Sequence, residues 1–124
     1  MTDIGKISDS ELEVLNVLWD VGRELPMSEL RQLVAARTGW ESSTIKTLVQ
    51  RLCSKGALNQ AKRDVYYYSP RITRAQYGGH AARSLADRVY HGSAGALVAA
   101  LVGSGLTAEE RDELRRLLEE MSNE

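Results

Sequence analysis

Residues 40–56 read WESSTIKTLVQRLCSKG, and from Ser42 to Arg63 the chain holds Lys46, Arg51, Lys55, Lys62 and Arg63 without one Asp or Glu. The whole chain of 124 residues carries a formal net charge of −1, so this basic stretch is a local feature. With Ser42 as the expected N-cap and Gly56 as the stop, Ile45, Leu48, Val49 and Leu52 recur at i, i+3, i+4 and i+7 and form one apolar stripe. At about 100° per residue, Ser43, Thr47, Gln50 and Ser54 point the opposite way, with Lys46 and Arg51 bordering them. Such a strip, uncharged at its centre, rich in hydrogen-bonding groups and edged by cations, suits a helix lying in the major groove of DNA. Gln50 is of the type that binds adenine bidentately, the Ser43 and Thr47 hydroxyls donate or accept, and Lys46 is placed for guanine or a phosphate.

Working upstream, Ser28 is the expected cap of a helix bearing Leu30, Leu33 and Val34 that stops at Gly39, three residues before Ser42. Two helices around so tight a turn make a helix-turn-helix. Before them, Ser8-Asp9-Ser10-Glu11 is a capping box that opens a largely buried helix to about Asp20, with Gly22 as its left-handed stop. Leu25-Pro26-Met27 reads as a short extended piece. Downstream, Ala57–Ala61 and Val65–Ser69 are expected as strands around the turn Lys62-Arg63-Asp64, with Pro70 ending the second. Three helices and a β-hairpin, in that order, make a winged helix-turn-helix with the hairpin as its wing.

The missing acids then have a physical reason. A basic side chain on a phosphate releases condensed counterions, whereas a carboxylate facing the same backbone opposes binding at every sequence. Lys62 and Arg63 at the hairpin tip are placed to meet the backbone beside the groove. If all five basics in each of two subunits neutralised a phosphate, log affinity would fall against log salt with a slope of roughly −9.

From Ile72 the pattern is helical throughout. Thr73-Arg74-Ala75-Gln76 is a second capping box, Ser93 caps Ala94–Val102, Gly103-Ser104-Gly105 breaks the chain, and Thr107 with Glu110 opens a last helix. The acidic run Glu109, Glu110, Asp112 and Glu113 fits the positive end of that helix. The apolar positions Tyr77, Ala81, Leu85, Val89, Leu97, Val98, Leu101, Leu114, Leu117 and Leu118 are the candidate dimer seam, since so short a segment buries too little surface alone. Gly78-Gly79 within this helix suggests either close helix approach or a kink between the lobes. The expected fold is therefore mostly α with a small β-hairpin: a winged-helix DNA-binding domain over residues 1–71 and a helical dimerisation domain over residues 72–124.

Composition narrows the function classes. There is no apolar run near the ~20 residues of a membrane span and no signal-peptide segment after Met1, so no membrane partner and a cytoplasmic location are expected. The single cysteine, Cys53, supports neither an internal disulfide nor a clustered metal site; it reads as a small buried hydrophobe, with a redox-sensing thiol as the alternative. His80 and His91 lack evident partner ligands, so no metal and no cofactor are expected. No phosphate loop, nucleophile–base arrangement or paired carboxylate constellation points to an enzyme.

The segments ISDSELEVLNVLW at 7–19, TGWESSTIKTLVQRLCSKGAL at 38–58 and YYYSP at 66–70 carry a resemblance to the penicillinase-repressor (BlaI/MecI) family, joined by SAGALVAALV and LTAEERDELRRLL nearer the end. The resemblance implies a homodimeric winged-helix transcriptional repressor of a palindromic operator in double-stranded DNA, dimerised through its C-terminal helices. It implies a phosphate-backbone contact for Trp40 and groove roles for Thr44, Lys46, Thr47 and Arg51. Ser43 and Gln50 depart from residues common in relatives, which alters the operator read. Relatives released by a sensor protease are cut at an Asn-Phe bond where this chain has Ala100-Leu101. The cysteine-rich tail of copper-responsive relatives has no counterpart after Cys53. Two other functions fit the same residues: a winged-helix regulator released by a small ligand, and a protein-interaction adaptor that uses the fold without DNA.

Overall fold

The computed structural model describes residues 6–123; the outer ends of the two expected domains, residues 1–5 and 124, including the start of the chain where no signal peptide is expected, lie outside it. Local sequence signals set the first element. The Ser8 hydroxyl accepts from the Glu11 N–H at 3.1 Å and the Glu11 carboxylate accepts from the Ser8 N–H at 2.8 Å, opening helix α1 at Asp9–Val21. Gly22 closes it at φ 76°, a left-handed angle that favours glycine. Strand β1 is only Leu25–Pro26.

Helix α2 spans Met27–Thr38 and starts earlier than its sequence suggests. Pro26 is the N-cap and Ser28 lies inside the helix, because pairing of Pro26 with the sheet ends the extended backbone there and the helix follows at once. Helix α3 spans Ser42–Ser54, with Glu41 as the N-cap where Ser42 was expected. The Ser42 hydroxyl instead accepts from Arg31 Nη1 at 2.9 Å.

Strands β2, Leu58–Lys62, and β3, Tyr66–Pro70, form the wing, each beginning one residue later than expected. The Ala57 N–H is taken by the Leu52 carbonyl at 2.9 Å in the wrap-around that ends α3, while its carbonyl accepts from the Arg71 N–H at 2.9 Å, so β2 itself begins at Leu58, opposite Pro70. The sheet has three antiparallel strands in the order β1-β3-β2, with Leu25 opposite Tyr68 and Gln60 opposite Tyr68 on the other side. Pro26, lacking an N–H, sits on an edge strand, where that loss is tolerated.

One core holds these elements together. Val14, Leu15 and Leu18 of α1, Leu30 and Val34 of α2, and Ile45, Val49 and Leu52 of α3 are all essentially inaccessible, with Leu25, Leu58, Tyr68 and Ile72 closing the sheet side. Helix α4, Arg74–Val89, opens with the Thr73/Gln76 capping box. Its first turns belong to this core: Trp19 Nε1 donates to the Ile72 carbonyl at 2.9 Å, the Tyr77 ring lies 6.0 Å from that of Trp19, and Arg74 pairs with Asp20 at 2.7 Å. The chain accordingly divides into two compact units, Met1–Ala81 and Ala82–Glu124.

The second unit holds the end of α4, then α5 at Ala94–Gly103 and α6 at Ala108–Ser122, capped by Ser93 and by the Thr107/Glu110 box. Neither α5 nor α6 contains a buried residue. No helix is long and apolar enough to cross a membrane among the described residues.

Candidate nucleic-acid interface

Helix α3 has two faces of opposite character. Ile45, Val49 and Leu52 are fully buried and Leu48 is 5% exposed, so this stripe anchors the helix in the core. Ser43, Thr44, Lys46, Thr47, Gln50, Arg51 and Ser54 are exposed. The Thr47 hydroxyl donates to the Ser43 carbonyl at 3.0 Å, which fixes its rotamer and leaves its oxygen free to accept. Among the described residues neither Lys46 nor Arg51 forms an ion pair with an acid. The first turn of α3 has no acidic residue, and the Glu41 side chain at its N-cap makes no capping hydrogen bond.

The neighbours of α3 complete the surface. Trp40 is half-buried against the core, and its N–H donates to Thr38 Oγ1 at 3.1 Å, which ties down the turn between the helices. Arg31 of α2, which sequence reasoning missed, joins the start of α3 through Ser42. It lies outside the acid-free stretch, and its partner is eleven positions on, so no local signal marks it.

The remaining basics of the stretch are placed differently from one another. Lys62 lies over the Tyr66 ring at 4.5 Å, exposed at the wing. Arg63 lies over the Tyr67 ring at 4.9 Å and pairs with Glu24, a partner that raises its pKa further; both side chains of that pair are substantially exposed. Lys55 turns inward: its Nζ is 2.6 Å from Glu11 Oε1 and 2.5 Å from the Lys6 carbonyl oxygen. Cys53 is half-buried beside the core, and burial pushes its thiol up, away from the thiolate that redox sensing needs.

Of the residues read as a dimer seam, Tyr77 packs on Trp19 within the first unit and Ala81 is that unit's last residue. Leu85, Val89, Val98, Leu101, Leu117 and Leu118 are exposed, while Leu97 and Leu114 are half-buried. Within the second unit Val98, Leu101, Leu106, Leu114 and Leu117 line an apolar groove edged by Glu110 and Glu113. Gly78 and Gly79 lie within α4 with open space where a Cβ would stand. No cluster of three or more His, Cys, Asp or Glu is arranged to hold a metal among the described residues.

A profile of the family described as Penicillinase repressor matches residues 7–120. The chain belongs to that family. The penicillinase repressor of Bacillus licheniformis is 35% identical over 99% of this chain and 97% of its own length. The methicillin resistance regulatory protein MecI of Staphylococcus aureus is 26% identical over 91% of this chain and 93% of its own. Among solved structures, the DNA binding domain of the repressor BlaI superposes with a TM-score of 0.55 at 37% identity, covering 62% of this chain and 94% of that one. The Bacillus licheniformis BlaI monomeric form in complex with the blaP half-operator gives 0.53 at the same identity and coverage. The winged-helix fold of this family member is thus that of the repressors' DNA-binding domain.

Proposed function

We propose that this member of the penicillinase repressor family acts as a cytoplasmic homodimer that represses transcription by occupying a palindromic operator in double-stranded DNA. The observation that carries the reading is the outward strip of α3: Ser43, Thr47 and Gln50 exposed between Lys46 and Arg51, on a helix whose other side is locked into the core. Thr47 and Gln50 read base edges, Ser43 and Thr44 hydrogen-bond at the groove, and Lys46 and Arg51 hold its phosphate walls. The wing brings Lys62 and Arg63 to the adjacent backbone, and Trp40 packs at the turn that faces it.

Dimerisation is supported by α5 and α6 of the second unit, which bury no residue and leave Val98, Leu101, Val102, Leu117, Leu118 and Met121 exposed. A two-fold pair presents two copies of α3 at half-sites one helical turn apart, about 34–36 Å. A sensor protease is the partner class that the family implies for release, and Ala100-Leu101 lies within α5 with Leu101 56% exposed.

The test is equilibrium binding by fluorescence anisotropy, comparing an operator selected from a random pool with unselected DNA. Thr47→Ala and Gln50→Ala are expected to narrow the difference between the two, each position losing up to about 1–3 kcal/mol of discrimination. Arg63→Ala is expected to weaken both DNAs alike. Equal losses on both DNAs for all three variants would overturn the assignment of base and phosphate roles.

A further inference from the structure

We infer that Lys55 is a positioning residue, which pins the end of α3 to the start of α1 through Glu11, and is not one of the side chains that neutralise DNA phosphate. The inference rests on the reading of α3 as the groove helix and changes which of its cations meet the backbone.

Lys55 is the C-cap of α3 and is half-buried. An ammonium group has three donors, and two of them are taken by Glu11 Oε1 at 2.6 Å and the Lys6 carbonyl at 2.5 Å. Glu11 is the only charged residue in the buried core of the described chain, with 1% exposure, and its Oε2 has no hydrogen-bond partner there. Its Oε1 also accepts the Ser8 N–H at 2.8 Å, so the same atom caps α1 and receives Lys55. A carboxylate so enclosed is tolerated while a cation lies against it, and removing one partner of such a pair leaves an uncompensated charge. If Lys55 swung out to a phosphate, Glu11 would be left in that state.

The Arg63–Glu24 pair at the wing is the contrast. Both partners are exposed, so a phosphate can replace Glu24 with little lost. Four basics of the stretch, Lys46, Arg51, Lys62 and Arg63, are then available per subunit. The bound on the salt slope of a dimer becomes roughly −7 in place of −9.

The experiment uses the full chain, a mixed-sequence duplex as probe, and four variants: Lys55→Met, Glu11→Gln, the two combined, and Arg51→Gln as the phosphate control. Arg51→Gln should make the slope of log affinity against log salt shallower by roughly 0.9 per subunit. Lys55→Met should leave that slope unchanged while lowering the denaturant midpoint of unfolding, and adding Glu11→Gln should recover most of the midpoint. If Lys55→Met does not fold, the combined variant supplies the slope. A slope reduced in the Lys55 variants as much as in Arg51→Gln would overturn the proposal, as would a combined variant no more stable than Lys55→Met. If Arg51→Gln also leaves the slope unchanged, it is the groove reading of α3 that fails. Recovery of the midpoint then upholds the tether by itself, and no recovery overturns it.

Discussion

The two oxygens of Glu11 show how much one side chain can decide. Burial pushes its carboxyl up, but hydrogen bonds from Lys55 and Ser8, together with the Lys55 charge, outweigh this and hold it below the ordinary 4.5. The unfolded chain therefore takes up this proton first. The stability that Glu11 contributes is complete above the ordinary value and is lost as pH falls through the lower folded one. Urea midpoints of the wild type should fall more steeply than those of Glu11→Gln from about pH 5 to pH 3; parallel curves would contradict it. Glu24 acts in the other direction, since it competes with phosphate for Arg63. Glu24→Gln should tighten binding to any duplex a few-fold at low salt, with the gain fading as salt rises; anisotropy at two salt concentrations decides it. Neither pairing is marked in the sequence, because the partners are 44 and 39 positions apart; the capping box marks Glu11 but not the cation that reaches it.

At the scale of elements, what was readable locally is what depends on three or four neighbouring residues. The capping boxes at Ser8/Glu11, Thr73/Gln76 and Thr107/Glu110 each close over three positions, and each is present. The stripe of α3 is equally local, and its four apolar residues are the ones buried. Helix starts were harder to place where tertiary contacts intervene: sheet pairing at Pro26 moves α2, and Arg31 engages the Ser42 hydroxyl that would have capped α3. Strand β1 is two residues long; Pro26 marks it locally as extended, but its place in the sheet depends on the edge that β3 offers it. Leu52→Ala in the fully buried stripe should cost about 2–5 kcal/mol of stability by chemical denaturation. Trp19→Phe removes the indole donor from the Ile72 carbonyl and should cost about 1 kcal/mol, loosening the first turn of α4.

For the whole molecule, the uneven distribution of burial is the governing fact. The first unit encloses a core of its own, whereas α5 and α6 leave Val98, Leu101, Leu117, Leu118 and Met121 exposed. That surplus of apolar surface is what a second copy would cover. Local patterning could indicate it, since the segment is short and its helices carry apolar stripes, but the pairing of copies is not a property of one chain's pattern. Leu117→Glu with Leu118→Glu should shift the protein to monomers in sedimentation equilibrium and weaken operator binding, while leaving the fold of the winged helix intact by circular dichroism. A dimer that persists in this variant would place the seam elsewhere.

The most direct test of α3 as a paired groove reader is hydroxyl-radical footprinting of the purified protein across DNA upstream of its own gene. Two protected patches about one helical turn apart are expected, both lost when Gln50 and Thr47 are replaced by alanine at a concentration where the wild type is saturated. Protection that survives those substitutions unchanged, or no protection at low salt, would contradict the role assigned to that face.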